Sequence, residues 1–265
     1  AAEFGAKAAR WKPAPPLPDQ REIGEFLASL PNATSVVHQR GESGHSSKTF
    51  EATYTKPYLA HASIGPSCAL ASFSDGHLTV WSHTQGPHHL RNQIAKALGM
   101  DAAAVDVIHR DGAGCYGHNG ADDVALDAAL VARDEGQIRG RPVLLQWSRE
   151  EELSWSPFGS AMAVKISAGV DDSGRIVDWK HELWSHTHIK RPGYGEGVNL
   201  LGAWVMDPPL PVPPGKDMPL PAGGGDRNAV PLYDFGHEQV VYHFIAEMPL
   251  RVSALRTLGG YANVF

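Results

Sequence analysis

The segment Gly112-Ala-Gly-Cys-Tyr-Gly-His-Asn-Gly120 joins a predicted strand to a predicted helix. The residues before it, Val105–His109, alternate apolar and polar side chains with the two-residue period of a half-buried strand. The residues after it, 121–133, are good helix formers with two carboxylates in the first turn. Glycines let backbone N–H groups approach a ligand closely, because no Cβ blocks the contact. The segment therefore predicts a platform of backbone donors for a phosphate or a cofactor.

Two common glycine-loop motifs fit this segment poorly. The phosphate-binding pattern G-x-x-x-x-G-K-[ST] requires a Lys and a hydroxyl that are missing here. The dinucleotide pattern G-x-G-x-x-G is met only loosely, by Gly112, Gly114 and Gly117. Asp122 and Asp123 make the helix start unfavourable for a bare pyrophosphate. From these residues alone, a turn that binds no ligand is an equally good interpretation.

Length and composition limit the function classes. A chain of 265 residues can form one large domain or two small ones. A formal net charge of -6, with 20% charged residues, gives no electrostatic reason to expect a nucleic-acid partner. The apolar stretches are far shorter than the roughly 18 residues of a spanning helix, so no membrane span is predicted.

Both ends of the chain resemble cut ends. The chain starts at Ala1 rather than Met, in a helix-like segment without the apolar core of a signal peptide. It stops at the apolar Phe265 without a polar tail. We therefore expect a processed or excised part of a longer protein.

The first part of the chain is predicted to be a docking arm with a linker, over residues 1–44. An extended Pro-rich stretch at 13–18 leads into a short amphipathic helix at 21–30, and a polar linker follows at 41–47. The apolar side chains of the helix have helical spacing, but we expect them to dock on another surface rather than to form core.

Strands and helices alternate irregularly in the rest of the chain, which predicts an α+β fold with mixed β-sheets and packed helices. Strands are predicted at residues 49–54, 69–73, 78–82, 105–109, 140–148, 161–170, 175–185 and 238–245, and helices at 87–98 and 121–133. The strand at 140–148 is expected to be buried, because its apolar residues run together. Periodicity disappears between residues 193 and 225, a length usually associated with function, an interface or disorder.

Several residues of chemically reactive types are more simply explained by structural roles or by exposure to solvent. Cys68 and Cys115 match neither a disulfide framework nor a zinc site, and small buried thiols are favoured. Cys115 and His118 nevertheless leave open a nucleophile beside a base. The run 150–152 of three Glu residues predicts a solvated helix start. The clustered histidines are predicted to be exposed or hydrogen-bonded, rather than metal ligands: His83, His88, His89, His181, His186 and His188.

Six segments occur in an order that resembles one family. They are Ala60-His-Ala62, Thr84-Gln-Gly-Pro87, the glycine segment 112–120, Gly140-Arg-Pro-Val143 with Ser148-Arg-Glu-Glu151, Asp172-Ser-Gly-Arg175, and Leu250-Arg-Val-Ser-Ala-Leu-Arg256. Together they resemble the molybdopterin-binding subunit of the xanthine dehydrogenase and aldehyde oxidase family, particularly the bacterial branch of isoquinoline oxidoreductase and nicotinate dehydrogenase large subunits. The resemblance covers residues 45–265 and implies the first part of a molybdopterin-binding domain.

This resemblance implies a molybdenum hydroxylase. In that family the dithiolene of a pterin, not the protein side chains, holds molybdenum. A water-derived hydroxyl is transferred to a carbon of an aldehyde or N-heteroaromatic substrate, and electrons leave through iron–sulfur clusters. The implied cofactor is the cytosine dinucleotide form of molybdopterin. The implied partners are the remainder of the molybdopterin subunit, a [2Fe-2S] subunit and, as a further candidate, a cytochrome c. The bacterial periplasm and cytoplasm both stay open as compartments.

The resemblance also assigns site residues. Ala113-Gly-Cys-Tyr-Gly117 corresponds to the family's Gly-Gly-Gly-Phe-Gly loop, which lies against the cofactor. The cofactor-binding residues so implied are Gly112, Ala113, Gly114, Cys115, Tyr116, Gly117 and Gln85. Cys115 replaces a glycine and narrows the backbone approach, whereas Tyr116 keeps an aromatic ring where the family's Phe shapes the substrate pocket. For Gln85, a loop that caps the following helix is an equal alternative.

Arg256 resembles an Arg that faces the substrate in purine-oxidising members of the family. A guanidinium there stabilises developing negative charge, although a structural salt bridge is an equal alternative. The family's catalytic general base is a glutamate in a Gly-Glu motif, which we expect beyond Phe265, so no catalytic residue is assigned within this chain.

Departures from the family pattern leave rival functions open. His61-Ala-Ser-Ile-Gly-Pro66 lacks a carboxylate common in the branch, and His118-Asn119 replaces its frequent Arg-Arg or Gly-Lys. One rival is a non-catalytic fragment or assembly module of such an enzyme. The other is a hydrolase with Cys115 as nucleophile and His118 as base.

Overall fold

The computed structural model describes residues 16–134, 138, 140–194 and 196–264, and everything below refers to these. The strands are β1 Ala33–Gly41, β2 Lys48–Lys56, β3 Cys68–Ser74, β4 His77–Ser82, β5 Val105–His109, β6 Val143–Gln146, β7 Phe158–Gly159, β8 Met162–Val170, β9 Ile176–Ser185, β10 His237–Phe244 and β11 Val252–Ser253. The α-helices are α1 Ile23–Ser29, α2 Pro87–Leu98, α3 Ala121–Ala132, α4 Arg149–Trp155, α5 Leu201–Val205 and α6 Gly260–Val264. Short 3-10 helices occur at Gln20–Glu22 and Ala102–Ala104. The predicted α+β class is confirmed.

The longer strands form two mixed sheets. One sheet has the order β5-β4-β3-β6, with β4 and β5 parallel and the other neighbours antiparallel. The other has the order β1-β10-β9-β8-β2, in which β9 and β10 are parallel. The short strands β7 and β11 pair in parallel with each other. The β8–β9 hairpin is the one predicted around Asp171-Asp-Ser-Gly174.

Helix α3 lies at the centre of the core that covers the four-stranded sheet. Its side chains are buried on nearly every face, including those of Val124, Leu126 and Ala128, because α3 packs between the sheet and other elements. Helix α2 contributes Leu90 and Ile94 to the same core. Apolar residues all around a helix indicate such central burial.

Strand β6 differs from the prediction of a buried strand at 140–148. It is an edge strand that pairs with β3, and its residues alternate between half-buried and exposed. The Leu144 side chain is 70% exposed. The prediction was wrong because a run of apolar residues does not reveal which face of the strand another element covers.

The predicted amphipathic helix of the docking arm is present as α1, but it belongs to the core. Ile23 and Leu27 are fully buried against Ala161 and Ile245, which come from the region of the five-stranded sheet. Strand β1 pairs with β10 over nearly its whole length. The described part of the predicted arm is therefore integrated in the fold, because its apolar side chains meet surfaces formed by distant segments. Residues 1–15 of the predicted arm lie outside the described residues.

The Glu residues at the start of α4 have two different structural roles. Ser148 and Glu151 form a reciprocal capping box at the helix start, as expected for an exposed terminus. Glu152 is instead buried, and it accepts hydrogen bonds from the backbone N–H of Ser67 at 2.9 Å and the Ser67 hydroxyl at 3.2 Å. The prediction of a solvated run was therefore wrong for Glu152.

A buried ion pair ties α3 to the last segment of the chain. Both oxygens of Asp123 accept hydrogen bonds from the Arg251 guanidinium, at 2.8 and 2.9 Å. Asp123 also accepts a hydrogen bond from the backbone N–H of Leu201 at 2.8 Å. The Arg251 guanidinium lies over the ring of Trp204, 4.9 Å from its centroid. One carboxylate thus connects three regions of the chain.

We expect Asp123→Ala to lower the free energy of unfolding by about 3–5 kcal/mol, because it leaves the Arg251 charge half-buried and unpaired. Urea denaturation of the 265-residue chain measures this loss. Asp172→Ala, in the exposed turn of the β8–β9 hairpin, is the matched control and should change stability by less than about 0.5 kcal/mol. Equal effects of the two substitutions would contradict a structural role for the ion pair.

Candidate functional site

The glycine segment 112–120 begins just beyond β5 and ends at the start of α3. Strands β4 and β5 are parallel, so their carboxyl ends meet at one edge of the sheet. The Thr84-Gln85 pair follows β4 at the same edge. Crevices at the carboxyl ends of parallel strands commonly bind ligands. The predicted strand–turn–helix arrangement is confirmed, and it brings Gln85 close to the glycine segment.

A cavity of about 230 Å³ lies at this edge. Its lining residues are His83, Gln85, His109, Asp111, Gly112, Gly114 and Cys115. Gln85, Gly112, Gly114 and Cys115 belong to the predicted cofactor-binding set, so the structure brings them together around one space. Ala113, Tyr116 and Gly117 lie in the same segment but are not part of the lining.

A backbone clamp holds the glycine segment in place. The N–H of His118 donates to the Ala254 carbonyl, and the N–H of Arg256 donates to the Tyr116 carbonyl, both at 2.8 Å. Gly117 lies between these bonds with φ 123°, and a Cβ at this position would be 2.2 Å from the Ala254 oxygen. Gly117 therefore satisfies both a backbone conformation and a close approach that other residues cannot.

The backbone N–H groups of residues 112–116 donate no hydrogen bond to a backbone carbonyl of any residue that the structure describes. The polar backbone contacts of this stretch come instead from its carbonyls. The Gly114 carbonyl accepts from the Asn119 side chain at 3.2 Å, and the Gly117 carbonyl accepts from the Cys115 thiol at 3.2 Å. The N–H groups of residues 112–116 thus lack a backbone acceptor within the described part of the chain, as a platform of donors for a ligand requires.

His83 is buried in the cavity wall, which the sequence did not predict. Its side chain is 8% exposed, and neither ring nitrogen has a hydrogen-bond partner among the described residues. Burial lowers the pKa of His83 below its usual value. The prediction of an exposed or hydrogen-bonded histidine was therefore wrong here. Its position directly before Thr84-Gln85 is the signal that could have drawn attention to it.

The other clustered histidines match the prediction. His181 contacts the Asn263 side-chain oxygen at 3.3 Å, His186 the Ile245 carbonyl at 2.6 Å, and His188 the Ser185 hydroxyl at 3.0 Å. His88 and His89 are exposed. Within the described ranges, no three His, Cys, Asp or Glu side chains are arranged to hold a metal ion.

Cys115 lacks the surroundings of a nucleophile. Burial raises the pKa of its thiol to about 11. His118 is not its base, because Nδ1 of that ring lies 2.7 Å from the Ser253 hydroxyl and Nε2 lies 3.3 Å from an Asp122 oxygen. A reactive thiol needs a lowered pKa. The structure thus contradicts the Cys115/His118 hydrolase.

A buried polar network fixes the start of α3. The Ser253 hydroxyl donates to the Lys190 carbonyl at 2.6 Å, so it accepts a hydrogen bond from the N–H of His118 Nδ1. Nε2 of His118 lies 3.3 Å from an oxygen of Asp122, but the two groups form no hydrogen bond. Burial raises the pKa of Asp122 to about 6 and lowers that of His118 well below its usual value. The positive charge of Arg191 acts on both groups.

Tyr116 and Arg256, the predicted substrate contacts, lie beside each other at the clamp. Tyr116 has φ 58°, its side chain is 38% exposed, and its ring packs against Gly114. The Arg256 side chain is exposed and forms no ion pair with any described residue, so the salt-bridge alternative is not observed. Neither residue lines the cavity itself.

None of the described helices is both long and apolar enough to cross a membrane.

Comparison with known proteins identifies relatives of this chain. A nicotinate dehydrogenase subunit of Pseudomonas putida is 34% identical over 260 residues, which are 96% of this chain and 20% of that protein. The nicotinate dehydrogenase large molybdopterin subunit of Eubacterium barkeri is 28% identical over 163 residues, 59% of this chain and 37% of that protein. The chain thus spans well under half the length of these relatives.

The fold is similar to that of solved structures. Quinoline 2-oxidoreductase from Pseudomonas putida 86 matches with a TM-score of 0.58 and 16% identity, over 89% of this chain and 28% of that one. Aldehyde oxidoreductase from Desulfovibrio gigas matches with a TM-score of 0.54 and 17% identity, over 87% of this chain and 23% of that one. At these levels of sequence identity, the structural similarity establishes only the fold.

The sequence model of one family, described as the molybdopterin cofactor-binding domain, matches residues 35–206. This match covers well over half of the 265-residue chain and includes β4, β5, the glycine segment and α3. The chain therefore belongs to the molybdopterin cofactor-binding domain family.

Proposed function

We propose that this chain forms one wall of the cofactor and substrate site of a molybdenum hydroxylase that oxidises an aldehyde or an N-heteroaromatic compound. The observation that carries the proposal is the cavity at the carboxyl ends of β4 and β5. Its wall combines unused backbone N–H groups with a buried, unpartnered imidazole. Membership of the family supports the assignment of that cavity to molybdopterin.

The residues around the cavity fit an organic group rich in hydrogen-bonding atoms. Gly112 and Gly114 let the rings of His83 and Tyr116 pack directly on the backbone beside the cavity, which gives a bound flat ring system aromatic neighbours. An unpaired buried polar atom costs about 1–3 kcal/mol, which a bound pterin offsets at His83. The nearby positive charge of Arg191 suits an anionic ligand.

We assign the cofactor contacts to Gln85 and the segment Gly112, Ala113, Gly114, Cys115, Tyr116 and Gly117. The clamp to residues 254–256 holds this segment rigid, so its N–H groups are already oriented before the ligand binds. Tyr116 and Arg256 are assigned to the substrate. Both are partly or fully exposed next to the clamp, and the Arg256 guanidinium is available to stabilise negative charge on a substrate.

When bound, the cofactor supplies the two-electron oxidation of a substrate C–H group, with the added oxygen taken from water. The general base of this reaction is not assigned to the described residues. Asp111 is the carboxylate that lines the cavity, and its side chain is fully solvated. We propose that a glutamate outside this chain provides the base.

The proposed partners follow from the length of the relatives. The chain spans 20% of its Pseudomonas putida nicotinate dehydrogenase relative, so the remainder of a molybdopterin subunit is the first proposed partner. We further propose a [2Fe-2S] subunit as electron acceptor, with a cytochrome c as an additional electron partner. The proposed form of the cofactor is molybdopterin cytosine dinucleotide.

The natural full-length protein, purified with its accompanying subunits, should contain molybdenum and pterin and should reduce a redox dye when supplied with an aldehyde or an N-heteroaromatic compound. Metal analysis, pterin fluorescence and dye absorbance measure these properties, and nucleotide analysis identifies the cytosine form. Arg256→Ala should raise the KM without lowering the pterin content. Protein that lacks molybdenum and dye reduction would favour the rival function, a non-catalytic assembly module.

We expect Gly117→Ala to lower the pterin content by about fivefold or more, because the new Cβ meets the Ala254 carbonyl at 2.2 Å and opens the clamp. Gly76→Ala is the matched control, since Gly76 also has a positive φ, 77°, but nothing lies within 4 Å of its Cβ position. That control should cost about 1 kcal/mol of stability and leave the pterin content unchanged. Equal pterin contents in the two variants would contradict the role of the clamp.

Cys115→Ala should lower pterin content by no more than about threefold, because only the hydrogen bond to Gly117 is lost. In a Cys68→Ser background, alkylation of Cys115 should be slow at pH 7 and rise about tenfold per pH unit toward the thiol pKa of about 11. Mass spectrometry measures the labelling rate. Fast labelling at neutral pH, or loss of a hydrolytic activity in Cys115→Ala, would restore the nucleophile hypothesis.

A further inference from the structure

His83 is a buried polar side chain with no partner in the protein. It is 8% exposed, and both Nδ1 and Nε2 lack a hydrogen-bond partner among the described residues. Buried polar groups in folded proteins are nearly always paired, and of the described residues that have an unpaired buried atom, His83 is the one that lines the cavity. His83 lines the 230 Å³ cavity, but neither nitrogen is accessible from it, so the ring has to turn to present a nitrogen to a partner there.

The neighbouring polar groups in the cavity differ from His83 because the protein already engages or solvates them. Nδ1 of His109 contacts the Thr84 carbonyl at 2.9 Å, and its Nε2 lies 3.7 Å from an oxygen of Asp111. Asp111 and Gln85 are exposed, so water satisfies them. Among the described residues that line the cavity, His83 alone is buried from water and has no hydrogen-bond partner in the protein.

Gly112 sets the position of the imidazole. A Cβ at Gly112 would lie 2.6 Å from both Cβ and Cγ of His83 and 3.0 Å from Nδ1. The ring therefore packs directly on the backbone of the glycine segment, and the two form one continuous wall. A ligand held by the N–H groups of residues 112–116 is then within reach of the ring.

We propose that His83 hydrogen-bonds the bound pterin and positions it against the glycine segment. This inference rests on the proposed function, because it takes the same cavity as the cofactor site. A neutral imidazole offers one N–H donor and one lone pair. The ring atoms of a pterin offer amide, amino and carbonyl groups that complement both. His83 is thus a positioning residue that takes no part in the oxidation.

The test compares His83→Phe, His83→Gln and His88→Phe in the natural full-length protein with its accompanying subunits. Pterin fluorescence and molybdenum analysis give the occupancy per chain. We expect His83→Phe to lower the occupancy about five- to tenfold, because both hydrogen bonds are lost. His83→Gln keeps a donor and an acceptor and should retain at least about half of the occupancy. His88 is exposed at the start of α2, so His88→Phe should change nothing.

Thermal melting of the proteins without cofactor distinguishes a loss of ligand binding from a loss of stability. His83→Phe removes two unpaired buried nitrogens, so its Tm should not fall by more than about 2 °C. If His83→Phe does not fold, His83→Ala provides the same comparison of occupancies, with His83→Gln as its rescue.

The outcomes discriminate between the inference and the proposed function. Full pterin content in folded His83→Phe overturns the inference alone. A raised KM with unchanged pterin content assigns His83 to the substrate and also overturns it. Wild-type protein without pterin overturns the proposed function, and this inference with it.

Discussion

The Ala254 carbonyl is the point at which distant parts of this fold meet. It accepts the backbone N–H of His118 at 2.8 Å and lies 2.7 Å from Nε2 of His61. His61 in turn contacts the Pro157 carbonyl at 3.0 Å. Three segments that are far apart in the chain are thereby joined at a buried position. Only Gly117 permits the approach, so the glycine segment, the cavity beside it and the clamp depend on one another.

The charges at the start of α3 stabilise the protein rather than a ligand. Asp123 is paired with Arg251, and Asp122 is buried next to His118 inside the protein. A helix start with free N–H groups attracts anions, but these carboxylates occupy that region. The donors available to a ligand are therefore those of residues 112–116, before the helix begins. This arrangement separates the structural polar network from the ligand-facing wall.

Local signals predicted several elements well. Pro87 and Gly99 mark both ends of α2, and the observed bounds of α2 and β5 match the prediction. The glycine segment was also predicted to be a turn between a strand and a helix, and it lies between β5 and α3. These features depend on residues within a few positions of one another, such as a fixed φ at Pro87 or a left-handed φ of 63° at Gly99.

The wrong predictions share a different cause. Leu144 in β6, Ile23 in α1, Glu152 and His83 were all misjudged in their burial or in their partners. For three of them the deciding contact comes from a segment distant in sequence: Ser67 for Glu152, Ile245 for the core around Ile23, and Gly112 for His83. For Leu144, none of the described elements covers the side chain. Local patterns describe which face of an element is apolar, but they do not identify what covers it.

The sequence by itself determined the positions of α1, α2, α3 and the longer strands other than β1, the turn between β5 and α3, and the succession of segments typical of the family. It did so because backbone preferences and turn chemistry act over a few neighbouring residues. Only the tertiary structure decided that Gln85 and Gly112 share one cavity, that Arg251 reaches Asp123, and that His83 is buried without a partner. These outcomes depend on the parallel pairing of β4 with β5 and on contacts between residues more than a hundred positions apart. Such contacts exclude solvent from a side chain, and the residues next to it in sequence do not specify them.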